Sequence, residues 1–275
     1  MIAEESCTML GLLITLIAGG LCGWFSFKEW GAVWGSVCAV LGFLLSWMIL
    51  GLILRRVLMK RQNKIQMIMQ EAQMKINRQM EMFQRRPPSS MNAAREIVEK
   101  IQFSAVRRCL EEIETFKSLY KWNLMLPRQI NAMKIQLHYQ LKEYKTVDEL
   151  LGKALLMDPQ TVGIAMARMY RRNDEKLDSF YKRNARKFRG ESGAFLACVY
   201  GWMKVKQNDA EKALKALNNA KKLSDHPVLL ANIENLVNGK VKHYSNAGFN
   251  DMWYALALEE PKMKPQKQRQ MGRGF

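Results

Sequence analysis

The sequence is poor in residues that break helices and in patterns that form strands. It contains only seven prolines in 275 residues, and much of it is Ala, Leu, Met, Lys, Glu and Gln, which favour helices. No stretch alternates apolar and polar residues cleanly enough to form a half-buried strand. The composition therefore predicts an all-α chain, long enough for one or two domains.

Cysteines are few and lie far apart along the chain. Their number is odd, and no Cys-x-x-Cys or Cys/His cluster occurs, so the pattern predicts neither a disulfide framework nor a metal site. A reducing compartment suits residues 55–275. The five positions are Cys7, Cys22, Cys38, Cys109 and Cys198.

Catalytic motifs are also missing from the sequence. His138, His226 and His243 lack the spacing of a metal site or a catalytic triad. The phosphate-binding loop Gly-x-x-x-x-Gly-Lys-Ser/Thr, the nucleophile motif Gly-x-Ser-x-Gly and the zinc motif His-Glu-x-x-His do not occur. We therefore expect no catalytic residue, no cofactor and no metal, and the chain is not predicted to be an enzyme.

Charged residues are few in the first part of the chain, and the rest carries a large positive excess. Residues 1–54 contain one of the 43 bases and three of the 25 acids, so 42 bases and 22 acids follow. Such an excess attracts anionic phospholipid, nucleic acid or an acidic protein. It is equally explained by solubility and membrane topology alone.

Two long runs carry no charge, Cys7–Phe27 with 21 residues and Gly31–Leu54 with 24. A helix needs about 20 apolar residues to cross a bilayer. Because only "KEW" separates the runs, residues 1–54 are predicted to form a two-helix transmembrane hairpin. Gly19 and Gly23 share the spacing that lets helix backbones approach closely, as do Gly31 and Gly35. The start "MIAEES" lacks the positive charge of a signal peptide, which favours an uncleaved anchor.

Bases flank the second run on one side only. Positive flanks stay in the cytoplasm, so both termini are predicted to be cytoplasmic, and the clean bias favours a bacterial inner membrane over an organellar one. These bases are the predicted membrane-surface residues, where we expect contact with anionic lipid. They are Arg55, Arg56, Lys60, Arg61 and Lys64.

Residues 55–86 are predicted to continue the second helix as a basic stalk of roughly 45 Å, at 1.5 Å per residue. Apolar residues from Ile65 through Met69, Ala72 and Ile76 to Phe83 form a near-heptad seam. The seam fits a coiled coil with a second copy, hence a homo-oligomer; alternatively, the basic face lies along the anionic leaflet. Residues 87–90 form a linker, in which two prolines end the helix and Ser89 or Ser90 can cap the next one.

Residues 91–260 consist of helical patterns separated by short polar turns. In "RQINAMKIQLHYQLKEYKTVDELLGKALLMDP" (128–159) a helix, a turn at "LKEY", a second helix and Pro159 follow one another. The next matching proline, Pro227, comes 68 residues later and ends "CVYGWMKVKQNDAEKALKALNNAKKLSDHP" (198–227). Between them lies "TVGIAMARMYRRNDEKLDSFYKRNARKFRGES" (161–192).

This layout resembles tetratricopeptide repeats, whose period is 34 residues. Tyr144 opens the second helix of the first unit, and Tyr200 and Gly201 occupy the Leu-Gly places of the third. Lys134 and Ile135 depart from the opening Trp-Leu-Gly pattern. The resemblance implies three units over about residues 128–227, a TPR-like α-solenoid; an ordinary helical bundle is the alternative. Residues 245–260 could cap the array, and the basic tail 261–275 is predicted to be disordered.

The resemblance implies a scaffold that holds a protein or peptide partner at the membrane, since such repeats bind partners in a concave groove. The anchor followed by repeats is similar in outline to bacterial inner-membrane proteins of the heme-biosynthesis-associated repeat type. The alternative is a basic protein that binds anionic lipid or nucleic acid. On either view the predicted partner-binding residues are the bases of the middle unit, namely Arg168, Arg171, Arg172, Lys182, Arg183, Arg186, Lys187 and Arg189.

Overall fold

A computed structural model describes residues 10–123 and 125–260 of the chain. These residues form helices and turns, and they contain no strand, which confirms the predicted all-α class. The predicted disordered tail, 261–275, lies outside the described residues.

Eleven α-helices follow one another in the described part of the chain. We number them α1 (Leu10–Glu29), α2 (Gly31–Arg85), α3 (Met91–Glu114), α4 (Leu126–Gln140), α5 (Tyr144–Leu151), α6 (Pro159–Arg171), α7 (Leu177–Ala185), α8 (Gly190–Lys206), α9 (Ala210–Lys221), α10 (Pro227–Val237) and α11 (Asp251–Tyr254). Short 3-10 helices occupy Thr115–Trp122, Val241–His243 and Ala247–Phe249.

The helices group into two compact units, Met1–Leu155 and Leu156–Phe275. The predicted linker at 87–90 separates α2 from α3, whereas the division between the units falls after Leu155. Helices α3 to α5 therefore group with the stalk, because α3 packs along it.

Helices α1 and α2 form an antiparallel hairpin with closely spaced backbones. Gly31 breaks the helix between them with φ 85°, a value that only glycine adopts readily. A β-carbon at Gly23 would lie 2.6 Å from Ala39 Cβ, and one at Gly19 would lie 2.9 Å from the Ala39 carbonyl oxygen. Glycine at these positions is what allows the close approach.

Most large apolar side chains of the hairpin are exposed. Val33 is 74% exposed and Trp34 59% exposed, and the same holds for most Leu and Ile side chains up to Ile53. Both helices are long and apolar enough to span a membrane, a property that signal sequences and the core helices of soluble proteins share.

The stalk, residues 55–86, is covered on one side by α3, which runs antiparallel to it. The seam predicted from the sequence is the side that packs, with Ile65 and Ala72 buried. Its partner is α3, through Val106, Cys109 and Ile113. Helix α3 therefore covers the seam at Ile65 and Ala72, whereas Ile76 and Phe83 further along it are only half-buried.

Helix α3 returns the chain to the open end of the hairpin, which is the end opposite the connection at Gly31. Lys64 pairs with Glu112 at 3.3 Å, and Arg61 donates hydrogen bonds to the Thr115 carbonyl and to Ser118 Oγ. Further along, the Trp122 carbonyl oxygen would lie 3.1 Å from a β-carbon at Gly11. The 3-10 helix Thr115–Trp122 thus ends against the hairpin.

Local helix signals predict most of the boundaries correctly. Ser90 caps α3 by accepting a hydrogen bond from the Ala93 amide. Pro127, Pro159 and Pro227 stand in the first turns of α4, α6 and α10, where the missing proline N–H costs nothing. The predicted turns at "LKEY", "RRND" and "KQND" all separate helices.

In the second unit, α8 is enclosed on every side. All its residues from Ala194 to Lys204 are buried, because α6, α7, α9 and α10 pack around it. The remaining cover is the C-terminal segment, residues 244–259, whose Trp253 and Leu256 are fully buried. A helix that is apolar on all faces requires such a surrounding.

The C-terminal segment crosses α10, α8 and α6 in turn. Asn246 donates to the Cys198 carbonyl of α8 at 3.0 Å and accepts from Asn232 of α10. Trp253 packs edge-to-face on Trp202, and the Met252 carbonyl accepts from Gln160 of α6. The segment predicted as a cap thus lies across the helices.

Candidate functional site

The predicted partner-binding residues divide into two groups, of which only one is exposed and unpaired. We call the first group the α7 basic surface: Lys182, Arg183, Arg186, Lys187 and Arg189. All five side chains are exposed. Within the described residues none of them makes an ion pair; Lys187 donates to Asn184 Oδ1, and Arg183 lies over the Phe180 ring.

The second group, at the C-terminal end of α6, is engaged within the chain. Arg171 donates a hydrogen bond to the Ala257 carbonyl, and Arg172 lies 4.0 Å from the Asp174 carboxylate. Arg168 is half-buried and also takes part in an interaction within the chain. Arg171 thus binds the C-terminal segment and Arg172 the α6–α7 turn, so a partner would have to displace these contacts.

A cluster around Asp178 holds α7 against its neighbours. The Asp178 carboxylate lies 2.5 Å from Lys204 Nζ of α8 and 3.5 Å from Lys212 Nζ of α9. Tyr200 donates to the same carboxylate at 3.1 Å, and its ring stacks on Tyr181 with centroids 4.0 Å apart. The ion pairs of Asp178 and the stacking of Tyr181 on Tyr200 hold α7 against α8 and α9.

Electrostatics of the cluster favour the ionised carboxylate. Burial acts to raise the pKa of Asp178, but the hydrogen bonds from Lys204 and Tyr200 and the nearby ammonium charges outweigh it and lower that pKa. Burial likewise raises the pKa of the Tyr200 phenol above its ordinary value. Asp178 is therefore charged at neutral pH and Tyr200 is neutral, as this hydrogen bond requires.

A cavity of about 340 Å³ opens beside the α7 basic surface. Lys182 and Arg186, one helical turn apart, stand at its wall, and the apolar lining comes from Tyr181, Phe188 and Leu223. Charge next to apolar surface suits an acidic segment that also carries an apolar side chain. The bases were predicted from the sequence, whereas Leu223 of the α9–α10 turn carries no local signal for this place.

The predicted membrane-surface residues also divide in two. Arg61 and Lys64 hold the 3-10 helix and α3 on the stalk, and the Arg61 guanidinium lies 5.8 Å from the Phe116 ring centroid. Arg55, Arg56 and Lys60 are exposed and make no ion pair within the described residues. Only these last three are left to meet an external anion.

The groove implied by the repeat resemblance is not open on the side of α6, α8 and α10. Tyr244, Phe249 and Trp253 of the C-terminal segment fill that face with side chains that are nearly or fully buried. Tyr244 also donates to the Cys198 carbonyl at 2.9 Å. The C-terminal segment thus occupies this face, whereas the predicted bases that follow Tyr181 lie on exposed surface outside it.

Two cysteines of the helical units are buried and one histidine is paired. Burial raises the pKa of the Cys198 thiol to about 12 and also raises that of Cys109, so neither is a reactive thiolate. His138 contacts the Glu143 carboxylate at 2.6 Å. Over residues 10–123 and 125–260, no group of three or more His, Cys, Asp or Glu side chains could hold a metal ion.

Comparison with known proteins gives no match for this chain. No family model matches it, and neither does any curated protein or solved structure.

Proposed function

We propose that the protein is a membrane-anchored adaptor that binds an acidic segment of a protein partner through the α7 basic surface. The observation that carries this proposal is the group of five exposed, unpaired bases beside a cavity with an apolar lining. Bases of the neighbouring α6 terminus are engaged within the chain. A surface that keeps its charges unpaired is suited to an external anion.

Membrane anchorage is supported by the exposed apolar faces of α1 and α2. Contiguous apolar surface on this scale is rare on soluble monomers, and the bilayer is the environment that would cover it. The bases after Leu54 favour an orientation with both termini in the cytoplasm, and a bacterial inner membrane is the compartment we propose.

The second unit is proposed to be a TPR-like α-solenoid. Paired helices α6 with α7 and α8 with α9, followed by α10, support this proposal, as do the contacts of α8 with both α6 and α10. Helix α7 is shorter than the repeat pattern asks for, with nine residues. In this proposal the partner binds at α7, because the C-terminal segment fills the other face.

The test is a pull-down with the full chain in a neutral detergent, at low and at high salt. A discrete protein should be retained by the native chain and lost from the double variant Lys182→Glu and Arg186→Glu. Lys240→Glu with Lys242→Glu makes the same change in charge on exposed residues away from the cavity, and this control should still retain the protein. Equal retention by both variants would contradict the proposal.

A second candidate function is binding of anionic lipid or nucleic acid. It is favoured by Arg55, Arg56 and Lys60, which are exposed directly beyond the apolar part of α2. Such binding is electrostatic and falls steeply as salt rises. If high salt released everything that the native chain retains, and the retained material were nucleic acid or vesicles, this candidate would replace the adaptor.

A further inference from the structure

A second cavity lies in the first unit, where the open end of the hairpin meets the returning chain. Its volume is about 830 Å³, within the range of sites that enclose a small ligand. The walls come from α1, from α2 and from the end of the 3-10 helix. The apolar lining includes Leu12, Trp47, Leu50, Leu54, Leu58 and Trp122.

The cavity crosses the change from apolar to charged sequence. Its α2 wall runs from Trp47 to Gln62, which is roughly 22 Å of helix at 1.5 Å per residue. The first half of that wall is uncharged, and Arg55 belongs to the second half. An occupant that matches both halves is apolar at one end and anionic at the other.

The charges around the cavity are free to meet such an occupant. Arg55 lines it, and neither Arg55 nor its neighbours Arg56 and Lys60 pairs with a carboxylate of the described residues. Arg61 and Lys64, one turn further, are already used against the 3-10 helix and α3. Arg55 is therefore the unpaired charge at the cavity itself, and Arg56 and Lys60 are its exposed neighbours on α2.

Gly51 marks the open space inside the cavity. It lines the wall, and a β-carbon built on it would meet no atom within 4 Å. This differs from Gly19, Gly23 and Gly35, where glycine is needed for contact between the helices. The room beside Gly51 is thus available to a ligand.

We propose that this cavity binds one acyl chain of an anionic phospholipid from the surrounding bilayer, with the lipid phosphate at Arg55. The inference rests on the proposed membrane anchorage. The chain would contact Leu50, Leu54 and Leu58, and a charge-assisted hydrogen bond from Arg55 would select an anionic headgroup. The bound lipid would stabilise the junction between the hairpin and the 3-10 helix.

The experiment uses the full chain in phosphatidylcholine nanodiscs that contain a trace of phosphatidylglycerol with a photoreactive acyl chain. After illumination, the labelled peptides are identified by mass spectrometry. We expect labels on the peptides that contain Leu50–Leu58 and Trp122. Labels spread evenly along the outward faces of both helices would overturn the proposal.

Two glycines give a matched pair of variants. Gly51→Leu places a side chain in the cavity and should abolish the cavity labels. Gly20→Leu adds the same side chain where a β-carbon also meets nothing within 4 Å, but Gly20 does not line the cavity, so the labels should stay. Unchanged labelling of Gly51→Leu would overturn the proposal.

A third variant tests the headgroup. Arg55→Gln should lower the preference for phosphatidylglycerol over phosphatidylcholine about tenfold, the factor that one charge-assisted hydrogen bond supplies. Arg78→Gln, on the distal part of the stalk, is the control and should leave that preference unchanged. An unchanged preference in Arg55→Gln would overturn the assignment of the phosphate to Arg55.

Anchorage itself is measured on the same samples by extraction of cell membranes at alkaline pH. A native chain that is extracted overturns both the anchorage and the lipid site. A chain that stays in the membrane but carries no cavity label overturns the lipid site alone, and it would mean that protein closes the cavity.

Discussion

The first half of α2 and the central part of α8 are both strongly apolar, yet they lie in opposite surroundings. From Ala194 to Lys204 every residue of α8 is buried by other helices and by the C-terminal segment. From Val33 to Ile53 most large apolar side chains of α2 are exposed. The comparison shows that apolar composition alone does not determine where a helix lies, since the cover has to come from distant parts of the chain or from outside it.

The largest loss of stability is expected when a side chain that covers α8 is removed. Trp253→Ala should lower the free energy of unfolding by about 3–5 kcal/mol, because it leaves a cavity between Trp202 and the C-terminal segment. Leu44→Ala, at an exposed position of α2, should change it far less. Thermal unfolding of the detergent-solubilised chain, followed by circular dichroism, measures both, and equal losses would break the comparison.

The next effect concerns the charged cluster that borders α8. Asp178→Asn leaves Lys204, which is 7% exposed, without its carboxylate, and should cost about 2–3 kcal/mol, since Asp178 itself is partly exposed. The control Asp225→Asn removes an exposed carboxylate and should cost little. Urea unfolding of the three proteins measures the difference, and a loss as small as that of the control would contradict a role for the cluster.

The same carboxylate makes stability depend on pH. Its pKa in the folded protein is lower than its ordinary value, so ionised Asp178 stabilises the fold at neutral pH. That contribution decreases as the pH falls below about 4, the value of an unfolded Asp, towards the folded pKa. The native chain should therefore lose more stability on acidification than Asp178→Asn does; parallel pH profiles would contradict the assignment.

A smaller effect is expected where two helices of the hairpin touch. Gly23→Leu forces a side chain into Ala39 and should cost about 2 kcal/mol by overpacking. Gly20→Leu meets open space and should leave stability unchanged. Melting temperatures of the two variants in the same detergent give the test, and a Gly23→Leu variant as stable as the native chain would contradict the close contact.

The smallest effect on stability should come from the α7 basic surface. Lys182→Glu with Arg186→Glu should change the free energy of unfolding by no more than about 0.5 kcal/mol, because exposed substitutions away from packed contacts are nearly neutral. Binding of the partner should nevertheless be lost. A large loss of stability in this variant would mean that the bases support the fold, and the pull-down would then need another variant.

Much of the local structure could be predicted because its causes are local. Ser90 and the prolines at 127, 159 and 227 act on the helix that they begin, and the seam through Ile65 and Ala72 follows from helical spacing. What the seam packs against could not be predicted, since α3 is tens of residues away along the chain. The position of Trp253 across α8 could not be predicted either, because the two are also far apart along the chain.

In the candidate site, too, local features could be predicted and contacts between distant parts of the chain could not. Lys182 and Arg183 end the short, charged helix α7 and the other three bases follow it directly, so their closeness is a local property that the sequence indicated. The engagement of Arg171 by the Ala257 carbonyl depends on where a segment 86 residues later lies, so the sequence could not separate it from the α7 bases. The cavity beside Gly51 depends on the return of Trp122 to the hairpin and was missed for that reason.

The placement of the C-terminal segment also has a consequence during synthesis. Helix α8 is complete once Lys206 has been added, but its last cover, which ends with Glu259, comes 53 residues later. At the usual rate of translation this leaves the apolar helix incompletely covered for roughly 3–10 s. For that interval Phe195 lacks its contact with Phe249 and Trp202 lacks its contact with Trp253, so the core of the second unit is completed only by residues near its end.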